Sequence, residues 1–405
     1  MAAHAPARYV DFHALHPLPA SLVNRGEDDL PKTLQLGGAV RAMVSSQSWK
    51  RAIRMRIEDD LDEHAARTRM LPLRVADALR DANWPEDLAA FAGTQIVRSA
   101  TREGLKTEEG RGITSVTLYL PRSVLDDLTD LCTEHRQQLE EALAKELADK
   151  AQETEADAKG TARRKAKKEK TEAVLPTRTV ATLIRRRTAT INLFGRMLAE
   201  VPGAQVDGAV QMAHAFSVHQ SSQQPDYFTA VEDWSLPHES GSAHLQTSFF
   251  TTGLLYRYAT VNLTELTRNL GGDHDQALHL LELFAEAFID TMPGAKKTAT
   301  APHTYPCLVH YAVRDRRPVS LAAAFEQPVK SAPGGGYITP AIKTLSHHAG
   351  ALNRLLGTRR LVGSGYATAH DAPLDHLGTV HAGFDDLTVV LTQTAAQPSP
   401  ARVAA

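Results

Sequence analysis

Apolar residues follow two different periods along this chain, and the switches between them mark its elements. YVDFHALHPL (9–18) mixes aromatic and apolar residues with no helical stripe, which predicts a buried strand. It leaves through Pro17 and Pro19 into SLVNRGEDDLPK, a polar loop with Asn24, Gly26 and Pro31 as breakers. AVRAMV predicts a short strand. Ser45 or Ser46 then caps a helix reaching Asp60 or beyond, with Trp49, Ile53 and Ile57 on its apolar face. Residues 60–190 read as mainly helical, apart from the strand composition of GITSVTLYLP (112–121).

Farther along, INLFGRMLAEVPG predicts a strand and a turn, GAVQMAHAFSVH a helix, and SSQQPDYFTAVEDWSLPHESGSAHL a polar loop. FFTTGLLYRYATVNL has the aromatic and β-branched content of a long strand. Gly271-Gly272-Asp273 announces the helix DQALHLLELFAEAFIDT, and YPCLVHYAV is a strand before the turn RDRRP. This order predicts an α+β fold in which a large insertion interrupts one small sheet.

Composition changes the picture little. The 405 residues are 42% hydrophobic and 23% charged, as in a soluble globular protein. A net charge of −2 gives no global basic field, so a polyanion site has to come from local segregation of charge. Cys132 and Cys307 lie far apart and argue against a disulfide scaffold. The start MAAHAPARYV lacks the apolar core of a signal peptide, and no apolar run nears ~20 residues; a soluble, cytoplasmic protein with no membrane partner is expected. EALAKELADKAQETEADAKGTARRKAKKEK is low in complexity, and its basic block at 163–170 reads as a solvated helix or flexible insertion.

The concentration of cations behind Ser45-Ser46-Gln47 is the first candidate site. A helix N-terminus presents backbone N–H groups and a positive dipole to a phosphate. Lys50, Arg51 and Arg54 follow, with Lys50 and Arg54 four apart on one face, and Asn24, Arg25, Lys32 and Arg41 lie upstream. Nucleotide fingerprints are missing: GGAVRA lacks the later glycines and the Gly-Lys-Ser/Thr ending, and PGGGY (333–337) reads as a turn. His214 and His219 are five apart and His347-His348 adjacent, neither spacing suiting a metal; no cofactor or catalytic constellation is expected. Asp28-Asp29 are adjacent carboxylates on a loop that could hold Mg²⁺ in a nuclease, although acidic loop pairs are commonplace. YFTAV (227–231) is an apolar island that can either fold onto the core or wedge between bases.

With these residues in view, the chain resembles the multi-copy backbone subunit (CasC family) of the type I-E CRISPR surveillance complex, Cascade. The motifs are SLVNRGED, GGAVRAMVSSQSWKRAIR, FGRM (194–197), VDGAVQMAHAFSVHQ, YFTAVEDW, GSAHLQTSFFTTGLLYRYATVNL and MPGAKK (292–297), in the family's order over most of the chain. The resemblance implies a hand-shaped, non-catalytic protein. Its palm is a modified RNA-recognition-motif (ferredoxin-like) sheet from 1–59 and 191–390, its fingers the helical insertion 60–190, and its thumb an extended loop at about 219–248. The tail 391–405 is expected to be disordered. Copies are expected to stack head to tail on guide RNA, kinking it and presenting it to a target DNA strand, alongside large, small and end-capping subunits. The resemblance assigns RNA-backbone contacts to Asn24, Arg25, Lys32, Arg41, Ser45, Ser46, Gln47, Lys50, Arg51 and Arg54, and the kinking wedge to Met197, Phe228, Thr229 and Val231. The MPGAKK lysines are a further possible contact. The competing expectation is a CRISPR-associated ribonuclease that cuts with Asp28 or Asp29.

Overall fold

The computed structural model describes residues 8–108, 110–158, 173–231, 242–357, 359–371 and 373–398. The basic block 163–170 lies outside them. The chain divides into two compact units, one of residues 1–60 and 208–405, the other of residues 61–207.

The first unit opens with β1 (Arg8–Ser21), the hairpin β2 (Thr33–Leu36) and β3 (Ala39–Val44), then α1 (Ser46–Leu61). The second unit follows with β4 (Ala65–Thr68), α2 (Leu71–Asp81), α3 (Glu86–Ser99), β5 (Leu118–Pro121), α4 (Val124–Glu134), α5 (Arg136–Ala158), α6 (Thr177–Arg185) and α7 (Ala189–Phe194). Its helices surround a core that includes Val75, Leu79, Ile96, Leu128 and Ile184. The strand expected over 112–121 forms only at Leu118–Pro121, where it pairs with β4.

The first unit resumes with β6 (Val210–Met212), β7 (Ala215–Ser217), β8 (Gln224–Val231), β9 (Ser242–Asn262), α8 (Leu263–Asn269), α9 (His274–Asp290), α10 (Lys297–Thr300) and β10 (Leu308–Asp315). A 3₁₀ turn (Ala322–Phe325), α11 (Ile338–Leu356), β11 (Leu361–Thr368), β12 (Thr379–Val380) and α12 (Phe384–Ala396) complete it. The sheet order is β12-β11-β10-β1-β9-β7-β3-β2, with β6 and β8 also pairing with β9.

Alternation along β1 assigns its two faces. Phe12 meets Phe284 and Phe288 of α9 at ring separations of 5.5 and 5.6 Å, while Leu15 packs with Phe325 and with Ile342 and Leu345 of α11. Both faces of the central sheet are therefore covered, by α1 and α9 on one side and α11 on the other.

Four expectations change. GAVQMAHAFSVH is two short strands, β6 and β7, not a helix, because β9 offers its edge and Ala215, Phe216 and Val218 are buried. The INLF segment closes α7, capped by the Thr188 side chain, instead of forming a strand. The polar stretch after His219 is largely β-structure: β8 pairs with β9 from Gln224↔Phe250 to Val231↔Ser242. Residues 391–396, expected in a disordered tail, are the last turns of α12, with Leu391 and Ala395 buried. No helix among the described residues is long and apolar enough to cross a membrane.

Candidate nucleic-acid interface

The loop after β1 and the start of α1 are bound into one structure. Asn24 Oδ1 accepts the Ser45 N–H at 2.8 Å, and Lys32 donates its N–H to the Asn24 carbonyl at 3.4 Å. Ser45 caps the helix, its carbonyl taking the N–H groups of Ser48 and Trp49 and its Oγ that of Ser48. The Ser46 N–H donates to His214 Nδ1 at 2.9 Å. The expected phosphate cradle of free N–H groups is thus largely filled by the protein's own acceptors. An anion here is left to be held mainly by side chains.

The cations separate by burial. Arg41 is fully buried and donates to the carbonyls of Ser217, Phe325 and Glu326. Burial lowers its pKa, with Glu326 opposing. It ties β3 to β7 and the 3₁₀ turn and cannot reach a phosphate, so the expected RNA contact is corrected. Arg54 is only 8% exposed and lies 3.8 Å from Glu58, beside the apolar stripe of Trp49, Ile53 and Ile57 rather than on the wet face. Lys50 is half-buried, its Nζ 3.5 Å from the Val210 carbonyl.

Arg25, Gln47 and Arg51 are exposed and Lys32 and Ser46 half-buried. Arg25 pairs with Asp29 at 3.0 Å. Arg51 and Arg56 line a cleft of about 590 Å³ with Asn24 and with Pro293, Gly294 and Lys297 of the MPGAKK segment. That segment is pinned by the Lys296 N–H donating to the Leu22 carbonyl at 3.0 Å. Asp59 and Asp290 also line the cleft. Burial raises the Asp290 pKa, Arg56 opposing it and Asp385 and Asp60 adding to it. Arg56 is held by Asp60 at 2.9 Å, whereas among the described residues no ion pair engages Arg51 or Lys297. Arg56 is exposed although it stands seven residues after Trp49, where helical spacing places it at the edge of the apolar stripe, so the spacing alone does not announce it as a cleft residue.

The ribbon of β8 and the first half of β9 is rooted at the same loop. Gln223 Nε2 donates to the Pro31 carbonyl at 2.9 Å, and the Ser221 N–H to that of Val40 at 3.0 Å. From this root the ribbon carries Tyr227, 66% exposed, Phe228, 40% exposed, and an exposed Thr229. Tyr227 belongs to the same apolar island, YFTAV, but is not among the residues that the resemblance assigns to the wedge; it is more exposed than Phe228. Val231 is paired through its backbone with Ser242, and its side chain lies outside the described residues.

Met197 belongs to the second unit and is 90% exposed. Its neighbour Arg196 is buried and donates to five carbonyls, those of Tyr119, Ile184, Arg185, Arg186 and Ala204. Burial pulls the Arg196 pKa down to about 10, Arg187 adding to the effect and Tyr119 opposing it, which leaves the guanidinium charged at neutral pH.

Asp28 and Asp29 are exposed, Asp29 in the left-handed region at φ 58°. His219, one of the histidines weighed as a ligand, is buried against Tyr337 at 3.8 Å and accepts the Leu254 N–H. Among the described residues no group of three His, Cys, Asp or Glu could hold a metal ion.

These features define a class: an α+β protein with a cation-bearing cleft beside a helix start and a β-ribbon arm rooted at the same loop. The chain belongs to the CT1975-like protein family, whose model matches residues 10–389. A solved chain described as "CRISPR RNA-guided surveillance complex, pre-nicking" is 37% identical with a TM-score of 0.83, covering 96% of this chain and 100% of that one. A second, from a "CRISPR RNA-guided surveillance complex", is 33% identical with a TM-score of 0.73 over 95% of this chain and 99% of its own. No curated protein matches the chain. The chain is thus homologous to subunits of CRISPR surveillance complexes.

Proposed function

We propose that this chain is the multi-copy backbone subunit of a type I-E CRISPR surveillance complex, a non-catalytic protein that grips the sugar-phosphate backbone of guide RNA. The observation that carries the reading is the meeting of Arg51 with Lys297 in one cleft, beside the loop that roots the ribbon. Cations aimed at phosphates hold a strand of any sequence and leave its base edges free to pair with a target DNA strand.

The order β10-β1-β9-β7, with α1 and α9 on one face, supports reading the sheet as a modified RNA-recognition motif. Such a sheet ordinarily stacks bases on its open face. Here α11 and the 3₁₀ turn cover that face, so the strand is gripped beyond the end of the sheet instead. Met197 and the ribbon residues Phe228, Thr229 and Val231 act as the contacts that kink it. Further copies stacked head to tail, and the large, small and end-capping subunits, complete the assembly.

The test is the nucleic acid that co-purifies with the protein. Guide RNA of defined length supports the scaffold; absence of RNA, or a heterogeneous mixture, contradicts it. Cleavage of complementary RNA with Mg²⁺, abolished by Asp28→Ala or Asp29→Ala, would establish the ribonuclease in its place.

A further inference from the structure

Around Met197 the backbone reads in, out, in: Arg196 and Leu198 are buried and Met197 is the most exposed large apolar residue among those described. The segment is fixed from several directions. Arg196 and Val206 exchange backbone hydrogen bonds, each 2.9 Å, and the Gly195 N–H closes α7 on the Ile191 carbonyl. Gly195 turns the chain at φ 79°, a conformation that disfavours other residues. Leu198, Val201 and Ala204 anchor the segment in the core of the second unit.

The guanidinium beneath supplies the rest. Three of its acceptors, the carbonyls of Ile184, Arg185 and Arg186, end α6, and the others come from β5 and from Ala204. An arginine has five N–H donors in a rigid fork, whereas a lysine has three on a flexible stem. One buried side chain therefore joins three separate segments immediately below an apolar residue held out in solvent. Packing alone does not explain this, since Met197 contributes no burial.

We infer that Arg196 is a positioning residue: it holds residues 195–198 so that Met197 is presented to the guide strand as a fixed apolar contact. The inference rests on the proposed RNA-binding function. A flexible methionine in a mobile loop would lose conformational freedom on contact; one presented on a fixed backbone loses less.

The experiment probes guide RNA with a 2′-hydroxyl acylating reagent in complexes of wild type, Met197→Ala, Arg196→Lys and the double variant. The expected result is raised reactivity at regularly spaced positions in Met197→Ala, the same pattern in Arg196→Lys, and no further rise in the double variant. Leu128→Ala, a core truncation on α4 of the same unit, should keep the wild-type pattern although it lowers the melting temperature. If Arg196→Lys does not fold, Gly195→Ala replaces it, since it disturbs the same turn and leaves every acceptor of Arg196 in place. A wild-type pattern in whichever of these two variants is used, beside an altered one in Met197→Ala, overturns the inference and spares the function. An additive double variant overturns it as well. A wild-type pattern in Met197→Ala removes the RNA contact, and the inference with it.

Discussion

The guanidinium of Arg257 lies 3.7 Å over the ring of Trp49, with Phe288 4.4 Å away. Its Nη1 bonds His16 Nδ1 at 2.8 Å and its Nη2 donates to the Phe288 carbonyl. One buried arginine of β9 thus fixes β1, α1 and α9 together, and with them the helix that carries Arg51. Burial lowers its pKa to about 9, so it is charged at neutral pH. Arg257→Leu removes both ring contacts and leaves the buried Phe288 carbonyl without this donor. A loss of ~3 kcal/mol or more in urea unfolding is expected. A change within ~0.5 kcal/mol would contradict this role.

Arg51 and Arg41 should respond in opposite ways. Arg51→Ala, at an exposed site, should leave stability within ~0.5 kcal/mol of wild type. It should also lower the slope of log affinity for guide RNA against log salt by about 0.7, one single-strand phosphate contact. Arg41→Gln strips donors from three carbonyls and should destabilise by ~2–4 kcal/mol. Denaturation curves and salt titrations of both variants check this; an unstable Arg51→Ala or a stable Arg41→Gln would refute the division.

The difference between these two arginines was not legible in the sequence. Arg41 follows Val40 and Arg51 follows Lys50, both in runs that mix apolar and polar residues, and only strand pairing turns Arg41 inward. Arg54 was more readable: Glu58 stands four residues on, and both adjoin the Ile53–Ile57 stripe. β1 and β9 were plain because long apolar runs are buried on both faces. β6 and β7 were hidden because two three-residue strands show no period of their own. The ribbon was hidden because it leaves the sheet, and a strand wet on its outer positions carries polar residues without alternation.

Acid should unfold the protein through its buried histidines. Burial, the leading cause in each case, holds His13 well below its ordinary pKa, His16 at about 3 and His310 at about 4. Each stays neutral in the fold and protonates in the unfolded chain below pH ~6.5, so stability falls with pH. Asp11, raised to about 6 by burial, acts the other way between about 6 and its unfolded 3.8, because there the folded carboxyl keeps a proton that the unfolded one has lost. Three imidazoles outweigh one carboxyl, with a limiting net loss of roughly 3 kcal/mol per pH unit. Urea midpoints should therefore drop from about pH 7.5 to about pH 5; an unchanged or higher midpoint in acid would contradict the assignment.

Phe228→Ala should separate stability from grip. The side chain is 40% exposed on the ribbon, so the melting temperature should barely move. Contact with a base contributes ~1–3 kcal/mol, so guide positions at regular intervals should become more accessible to nuclease. A drop of several degrees with unchanged accessibility would make Phe228 a core residue.

A grip on phosphates that ignores sequence is measured most directly by guide-RNA affinity across randomised spacers at several salt concentrations. Affinities should agree to within about 1 kcal/mol between spacers and fall steeply and linearly in log salt. Spacers differing by more than that, with little dependence on salt, would mean that bases are read and would contradict such a grip.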